Sequence, residues 1–203
     1  MTVAGDAAPA GLVIRPATAD RWDDVRALAG ERGFTSGCWC MWWRMSTHEW
    51  RSTPARARRD ALADLVATGS APGLLAYRDG APVAWVAVAP RDEYPRLNRS
   101  QKLKPLDDTP VWSVTCFTVD RHHRRHGVAE ALLDAAVDHA AARGATVVEG
   151  YPIDTAGGRR PGADLFTGTL AMFRRAGFEE VARRGGRPIV RKVVSAGGTG
   201  ARP

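Results

Sequence analysis

The sequence predicts a layered α/β domain with a mixed sheet, and two observations carry that reading. Short apolar or β-branched runs alternate along the chain with helical stretches, so strands and helices are interleaved. Turn dipeptides, Asp79-Gly80 and Gly185-Gly186, separate neighbouring runs as β-hairpins do, while other runs are joined through a helix, which makes the sheet mixed. At 203 residues and 21.9 kDa the chain holds one full-sized domain and leaves no room for two catalytic ones. With 44% hydrophobic and 25% charged residues it is of ordinary globular composition, far from that of a disordered chain.

Residues 1–11 are Ala/Gly-rich and unpatterned, and 195–203 (SAGGTGARP) are of low complexity; both are expected to be flexible, leaving 12–194 as the domain. The run 12–15, closed by Pro16, reads as a strand. From Asp20 a helical pattern places Trp22, Val25 and Leu28 inward. Thr53-Pro54 reads as a helix start, with the Thr53 hydroxyl as cap, and the helix continues over 55–66 to Gly69. Residues 73–77 and 83–89 are strands joined at Asp79-Gly80. Residues 90–110 read as a long polar loop, which in a domain of this size is a functional or disordered segment. The run 111–119 (VWSVTCFTV) suits a buried strand. An Ala-rich helix follows, with Val128, Leu132 and Ala135 on one stripe and Gly144 as its left-handed stop. Then come a strand over 146–153, a loop over 154–164, a helix over 170–176, and a closing hairpin of 178–183 with 188–194.

Several function classes lose ground at this level. The longest apolar stretch, 81–90, is about half of what a membrane-spanning helix needs. The first residues lack a basic region ahead of a long apolar run and carry Asp6, so they do not read as a secretory leader; the default address is the cytoplasm. Cys38, Cys40 and Cys116 are sparse and odd in number, which suits reduced thiols better than a disulfide framework or a zinc ribbon. The net charge is +7, mostly from Arg spread between Arg15 and Arg202. That is compatible with an anionic ligand but is too dispersed to make nucleic acid the favoured partner.

The informative segment is 119–129, VDRHHRRHGVA. A buried strand delivers a polar turn to the start of an Ala-rich helix, so several backbone N–H groups meet the positive end of the helix dipole, an arrangement that a phosphate satisfies. Gly127, with no Cβ, permits close approach. The turn has neither the dinucleotide-fold nor the P-loop glycine pattern. His122, His123 and His126 all fall in the same tight turn, at positions that would contact a phosphate or pack on the sheet, which argues for a turn and against a metal cluster.

The run Arg124-Arg125-His126-Gly127-Val128-Ala129, preceded by Val119, resembles the signature of the GNAT superfamily of acyl-CoA-dependent N-acetyltransferases: Arg or Gln, two residues, Gly, one residue, Gly or Ala. Met172-Phe173-Arg174-Arg175-Ala176-Gly177-Phe178 resembles the family's later helix-to-strand signature, with Phe173 where Tyr is usual. The resemblance covers 12–194. It implies a GNAT-like splayed sheet flanked by helices and acetyl-CoA as acyl donor. The pyrophosphate would lie on the amides around Arg124, Arg125, His126, Gly127, Val128 and Ala129. The pantetheine arm would follow Phe117, Thr118 and Val119, near Phe173, with the thioester in the gap beside the next strand. Direct transfer to a primary amine of a small molecule or peptide follows, and a homodimer is common in such proteins. The same resemblance also accommodates an acyl-CoA-binding sensor or interaction module with little catalysis, which would bind acetyl-CoA without releasing thiol to any amine.

Two segments are candidates for the acceptor. Residues 34–50 hold four of the seven Trp residues; they read either as a hydrophobic cover on the sheet or as a pocket in which Trp42 and Trp43 offer apolar walls or a cation-binding face. Glu93 and Tyr94, in the loop entering the CoA-binding strand, are further contact candidates. For proton transfer the family's usual residues fall at Ser113 and Phe173, which do not supply the pair. Glu149 and Tyr151 are the nearest replacements, two apart on the neighbouring strand and therefore on one face, Glu149 to take the amine proton and Tyr151 to give one to sulfur. The competing reading of Glu149 is a structural ion pair with one of the many Arg residues.

Overall fold

A computed structural model describes residues 11–34, 37–158 and 160–194. The expected flexible ends, Gly11 apart, lie outside these residues. Alternation sets the edge of the sheet: in β1 (Leu12–Pro16) every second residue is exposed. The central β3 (Ala81–Pro90) is an apolar run buried on both faces. It is joined to β2 (Gly73–Arg78) through Asp79 and Gly80, whose φ angles of +50° and +77° match the twist of a hairpin.

With β4 (Trp112–Val119), β5 (Val147–Gly150), β6 (Glu179–Arg184) and β7 (Arg187–Val193) the strands form one sheet in the order β1-β2-β3-β4-β5-β7-β6. Only β4 and β5 run parallel; every other neighbouring pair is antiparallel. The expected single mixed α/β domain is the fold observed.

Helices cover both faces. On one, α1 (Trp22–Ala29) and α3 (Ala55–Ala67) bury Val25, Ala29 and Leu62 against Leu75, Trp85 and Ala87. On the other, α5 (Val128–Ala141) and α6 (Leu170–Arg175) pack Val128, Leu132, Leu133, Ala136 and Phe173 against Val86, Val114, Val148 and Val190. Ala-rich composition favours α5 intrinsically, and its buried stripe supplies the tertiary drive.

Three expectations need correction. Thr53 is not the N-cap of α3, whose N-cap is Pro54 with no side-chain bond; it is the C-cap of α2 (Thr47–Ser52), a helix started by Ser46 in a reciprocal capping box with Glu49. The strand over 146–153 ends at Gly150, and Ile153 instead bridges Thr169. Residues 90–110 are no mere solvated loop. They include α4 (Pro95–Arg99), and Arg91, Tyr94, Leu97 and Leu103 are buried against Tyr151 and Ile189 as a third core cluster.

His139, on α5, carries a consequence for acid stability. Its ring meets the edge of Trp112, and Arg143 Nη1 donates to its Nδ1 at 2.9 Å. Burial, and then the Arg143 charge, hold the imidazole down at about 4. Above pH ~6.5 it is neutral in both folded and unfolded chains and contributes nothing. Below that, the unfolded chain gains a proton that the folded one refuses, so stability falls by up to about 3 kcal/mol and levels off near the folded value. Denaturant unfolding at pH 7 and pH 4.5 should show His139→Gln losing distinctly less stability than the parent; equal losses would remove His139 as a cause.

Candidate active site

The parallel pair β4/β5 is very short. Trp112, Ser113 and Val114 face Val148, Glu149 and Gly150, and there the pairing stops. Two local features explain the parting. Opposite β3, Thr115 is an extra residue between Val114, paired with Val88, and Cys116, paired with Ala87; such a bulge bends the strand. Gly150 lies under Phe173, so that a Cβ there would sit 2.2 Å from the ring, and β5 can approach α6 only as glycine.

Beyond the last pair, residues 166–169 lie between the diverging strands. The Phe117 N–H donates to the Phe166 carbonyl at 2.6 Å, and the Ile153 N–H donates to the Gly168 carbonyl at 2.9 Å. Phe117 is buried edge-on against Phe173, 6.2 Å between centroids. The sheet is therefore splayed at the place expected, and Phe117 and Phe173 share its floor.

The far end of β4 leads through Asp120 into the turn 121–127. Asp120 Oδ1 accepts from the His122 N–H, and Arg124 Nε reaches back to the Val119 carbonyl at 3.0 Å. Arg125 and Gly127 both have left-handed backbone, φ +65° and +73°, and Gly127 is the N-cap of α5. Alternating hands of this kind turn successive N–H groups to one side. Among the described residues none of the backbone N–H groups from Arg124 to Glu130 has a hydrogen-bond partner; the first that does is Ala131, on the Gly127 carbonyl. The turn is exposed from Arg124 to Gly127, while Val128 is buried and Ala129 half-buried. A row of free donors at a helix start is an anion cradle. Among the described residues no group of three or more His, Cys, Asp or Glu is placed to hold a metal ion.

Glu149 and Tyr151 do face each other, the Tyr151 hydroxyl donating to Glu149 Oε1 at 2.7 Å. Their surroundings differ from those of a free base and acid. Glu149 Oε1 also takes Arg91 Nη1 at 2.6 Å, and Oε2 takes Arg191 Nε at 2.7 Å, so the carboxylate lies buried between two guanidinium groups. Arg191 extends the chain of charges to Asp107. Tyr151 directly follows β5, just beyond the last β4 pair, and its hydroxyl also meets Ser113 Oγ at 2.8 Å. Burial and the adjacent Glu149 carboxylate hold this phenol well above the usual tyrosine range, so it keeps its proton.

The two segments expected to meet the acceptor pack on each other. Trp43 Nε1 donates to the carbonyl of the bulged Thr115, and its ring lies 6.4 Å from that of Phe166, which places Trp43 at the splay. On Trp42 one cation-binding face is already occupied, since the Arg96 guanidinium lies 3.9 Å from its ring centre. Glu93 is paired with Arg44 at 2.5 Å, and Tyr94 is buried beneath that same guanidinium. Of the four, Trp43 and Tyr94 stand next to the diverging strands, Trp43 through Thr115 and Phe166 and Tyr94 in the buried cluster that holds Tyr151. Arg91, Arg191 and Phe166 had no place in the sequence reading; the buried Arg91, Tyr94 and Leu97 recur at helical spacing of three, a signal that could have shown this segment to be packed.

The splay, the bulge and the anion cradle define the class of protein. The model for the acetyltransferase (GNAT) family matches residues 37–152, and the chain belongs to that family. Solved structures of similar fold include a GNAT-family acetyltransferase from Listeria monocytogenes (TM-score 0.56, 11% identity, 93% of this chain and 99% of that one). Two others are the PaiA N-acetyltransferase from Thermoplasma acidophilum in complex with coenzyme A (0.51, 12%, 90% and 99%) and the ribosomal-protein-alanine N-acetyltransferase from Brucella melitensis (0.51, 18%, 90% and 99%). One longer neighbour is covered over 33% of its own length. At such identities they speak for the fold alone. No curated protein sequence matches. Among the described residues no helix is long and apolar enough to cross a membrane.

Proposed function

We propose that the protein transfers an acetyl group from acetyl-CoA directly to a primary amine. The observation that carries this reading is the run of unpartnered N–H groups from Arg124 to Glu130 at the end of a strand that parts from its neighbour. The pyrophosphate lies on that run, where charge-assisted hydrogen bonds and the helix dipole act together. The pantetheine arm follows Phe117, Thr118 and Val119, taking over the Phe117 N–H from the Phe166 carbonyl, with Phe173 beneath. A CoA-binding neighbour of like fold is consistent with this.

Transfer needs the amine lone pair on the thioester carbon, a proton leaving nitrogen, and rupture of the C–S bond with a proton returned to the thiolate. Tyr151, neutral and at the mouth of the splay, is assigned the last role. Glu149, with both oxygens held by arginines, orients Tyr151, and water takes the amine proton. A covalent acetyl-cysteine route is disfavoured: burial, and then Cys116, push the Cys38 thiol up to about 11, and burial also raises Cys40.

The experiment is thiol release from acetyl-CoA against an amine panel. Turnover with some amine, and no stoichiometric release of CoA when acceptor is left out, is the expected result. Acetyl-CoA binding with no release to any amine would instead support a sensor.

A further inference from the structure

We propose that the acceptor is a small amine bearing an oxyanion, a carboxylate or phosphate, and that Arg187 is the residue that holds it. The proposal rests on the acetyltransferase reading above. An open cleft of about 450 Å³ lies between residues 100–103, Ile153 and Asp154, Arg160 and Asp164, and the β6–β7 turn, and its charged lining among the described residues comprises Lys102, Arg160, Arg187, Asp154 and Asp164. Asp154 is already committed, with Oδ2 on Arg183 at 2.7 Å and Oδ1 accepting from the Ala156 N–H at 3.0 Å. Three cations therefore face one uncommitted carboxylate, Asp164.

Arg187 is unlike its neighbours on the same hairpin. Arg183 grips Glu180 and Asp154, and Arg191 grips Asp107 and Glu149. Arg187 is half-buried, yet among the described residues no carboxylate lies within 4.0 Å of it. Its Nη2 donates to Thr167 Oγ1 at 2.8 Å, while its buried Nε has no partner. Burial lowers its pKa to about 10, so the site penalises the bare cation, and a bound anion would relieve that penalty. The Nη1 group makes no hydrogen bond among the described residues and is not buried as Nε is, so the planar guanidinium keeps a donor for a carboxylate or phosphate oxygen.

The position also fits an acceptor. Alternation along β7 puts Arg187 on the face of Ile189 and Arg191, the face that carries Glu149. Gly150 pairs with Val190, so the start of β7 lies at the splayed end of β5. Thr167, which holds the guanidinium, directly follows Phe166, which holds the Phe117 N–H of β4. An anion on Arg187 would thus be held beside the 166–167 segment that borders the strand along which the thioester arm is placed, and the amine would extend from it towards that strand.

The test compares amines of similar size and basicity: β-alanine against propylamine, and O-phosphoethanolamine against ethanolamine. In at least one pair the anionic member should show kcat/KM higher by about tenfold or more, and the pair that responds tells carboxylate from phosphate. Arg187→Gln should raise the KM of that anionic amine and bring the ratio within the pair towards one, with Arg187→Lys restoring part of it. Equal rates within both pairs, or a preference that survives Arg187→Gln, overturns the proposal.

Failure of the acetyltransferase reading looks different, since no amine would then release thiol. Calorimetry with inorganic phosphate decides in that event. Binding lost in Arg187→Gln and kept in Arg124→Gln upholds the anion site. Binding that depends on Arg124 alone, or no binding, rejects it.

Discussion

Arg91→Leu is expected to lower the free energy of unfolding by about 3–5 kcal/mol, the range found when one partner of a buried ion pair is removed. Arg91 is buried and makes four contacts: Nε with Asn98, Nη2 with the Leu103 carbonyl, and Nη1 with both Glu149 and the Tyr151 hydroxyl. It therefore pins residues 91–103 to β5 with one side chain. Leucine would leave the buried Glu149 carboxylate to Arg191 and Tyr151 and strand the Leu103 carbonyl. For a chain of this size the melting temperature should drop by on the order of 10 °C. Urea unfolding of Arg91→Leu, Glu149→Leu and the double variant gives the coupling. The double variant should lose clearly less than the two single losses added together, because no lone buried charge is left behind. Additive losses, or a single-variant loss below ~1 kcal/mol, would mean that the cluster is solvated in solution.

That cluster also marks the limit of what the sequence makes legible. The turn at Gly127 and the hairpins at Asp79-Gly80 and Gly185-Gly186 are local: backbone conformation there is decided by residues adjacent in the chain, so short patterns suffice. The Glu149–Tyr151 pairing is legible for the same reason, since alternation along an extended run puts both on one face, although β5 itself ends at Gly150. What surrounds them is not. Arg91 meets Glu149 across 58 residues of chain and Arg191 across 42, and no spacing rule encodes such contacts. The helices α2 and α4, of 6 and 5 residues, are too short to display a period and rest on packing and caps, which is why residues 90–110 read as solvent-facing. Trp42 was legible as an aromatic surface but not as one already covered by Arg96. The same holds for Arg187, which is one Arg among many until burial and the lack of a carboxylate beside it among the described residues single it out.

Gly127→Val should weaken acetyl-CoA binding by on the order of 100-fold or more while leaving a folded protein. The argument begins with backbone conformation: Gly127 sits at φ +73°, ψ −1°, a left-handed geometry that costs a residue with a Cβ roughly 1–2 kcal/mol, and a β-branched one most. The turn can escape that cost by rotating residue 127 out of the left-handed region. Doing so redirects the N–H groups on either side, which among the described residues bond to nothing else and so offer little resistance. Two charge-assisted hydrogen bonds to phosphate, at about 1.5–3 kcal/mol each, are lost with them. The helix itself survives, because α5 is held by Val128, Leu132, Leu133 and Ala136 against the sheet. Gly127→Ala, strained but unbranched, should fall between parent and Val. Calorimetric titration with CoA reads the effect directly, and unfolding curves check that α5 is intact. A folded Gly127→Val protein with the parent's CoA affinity would move the pyrophosphate away from this turn altogether, and with it the placement of the arm along β4.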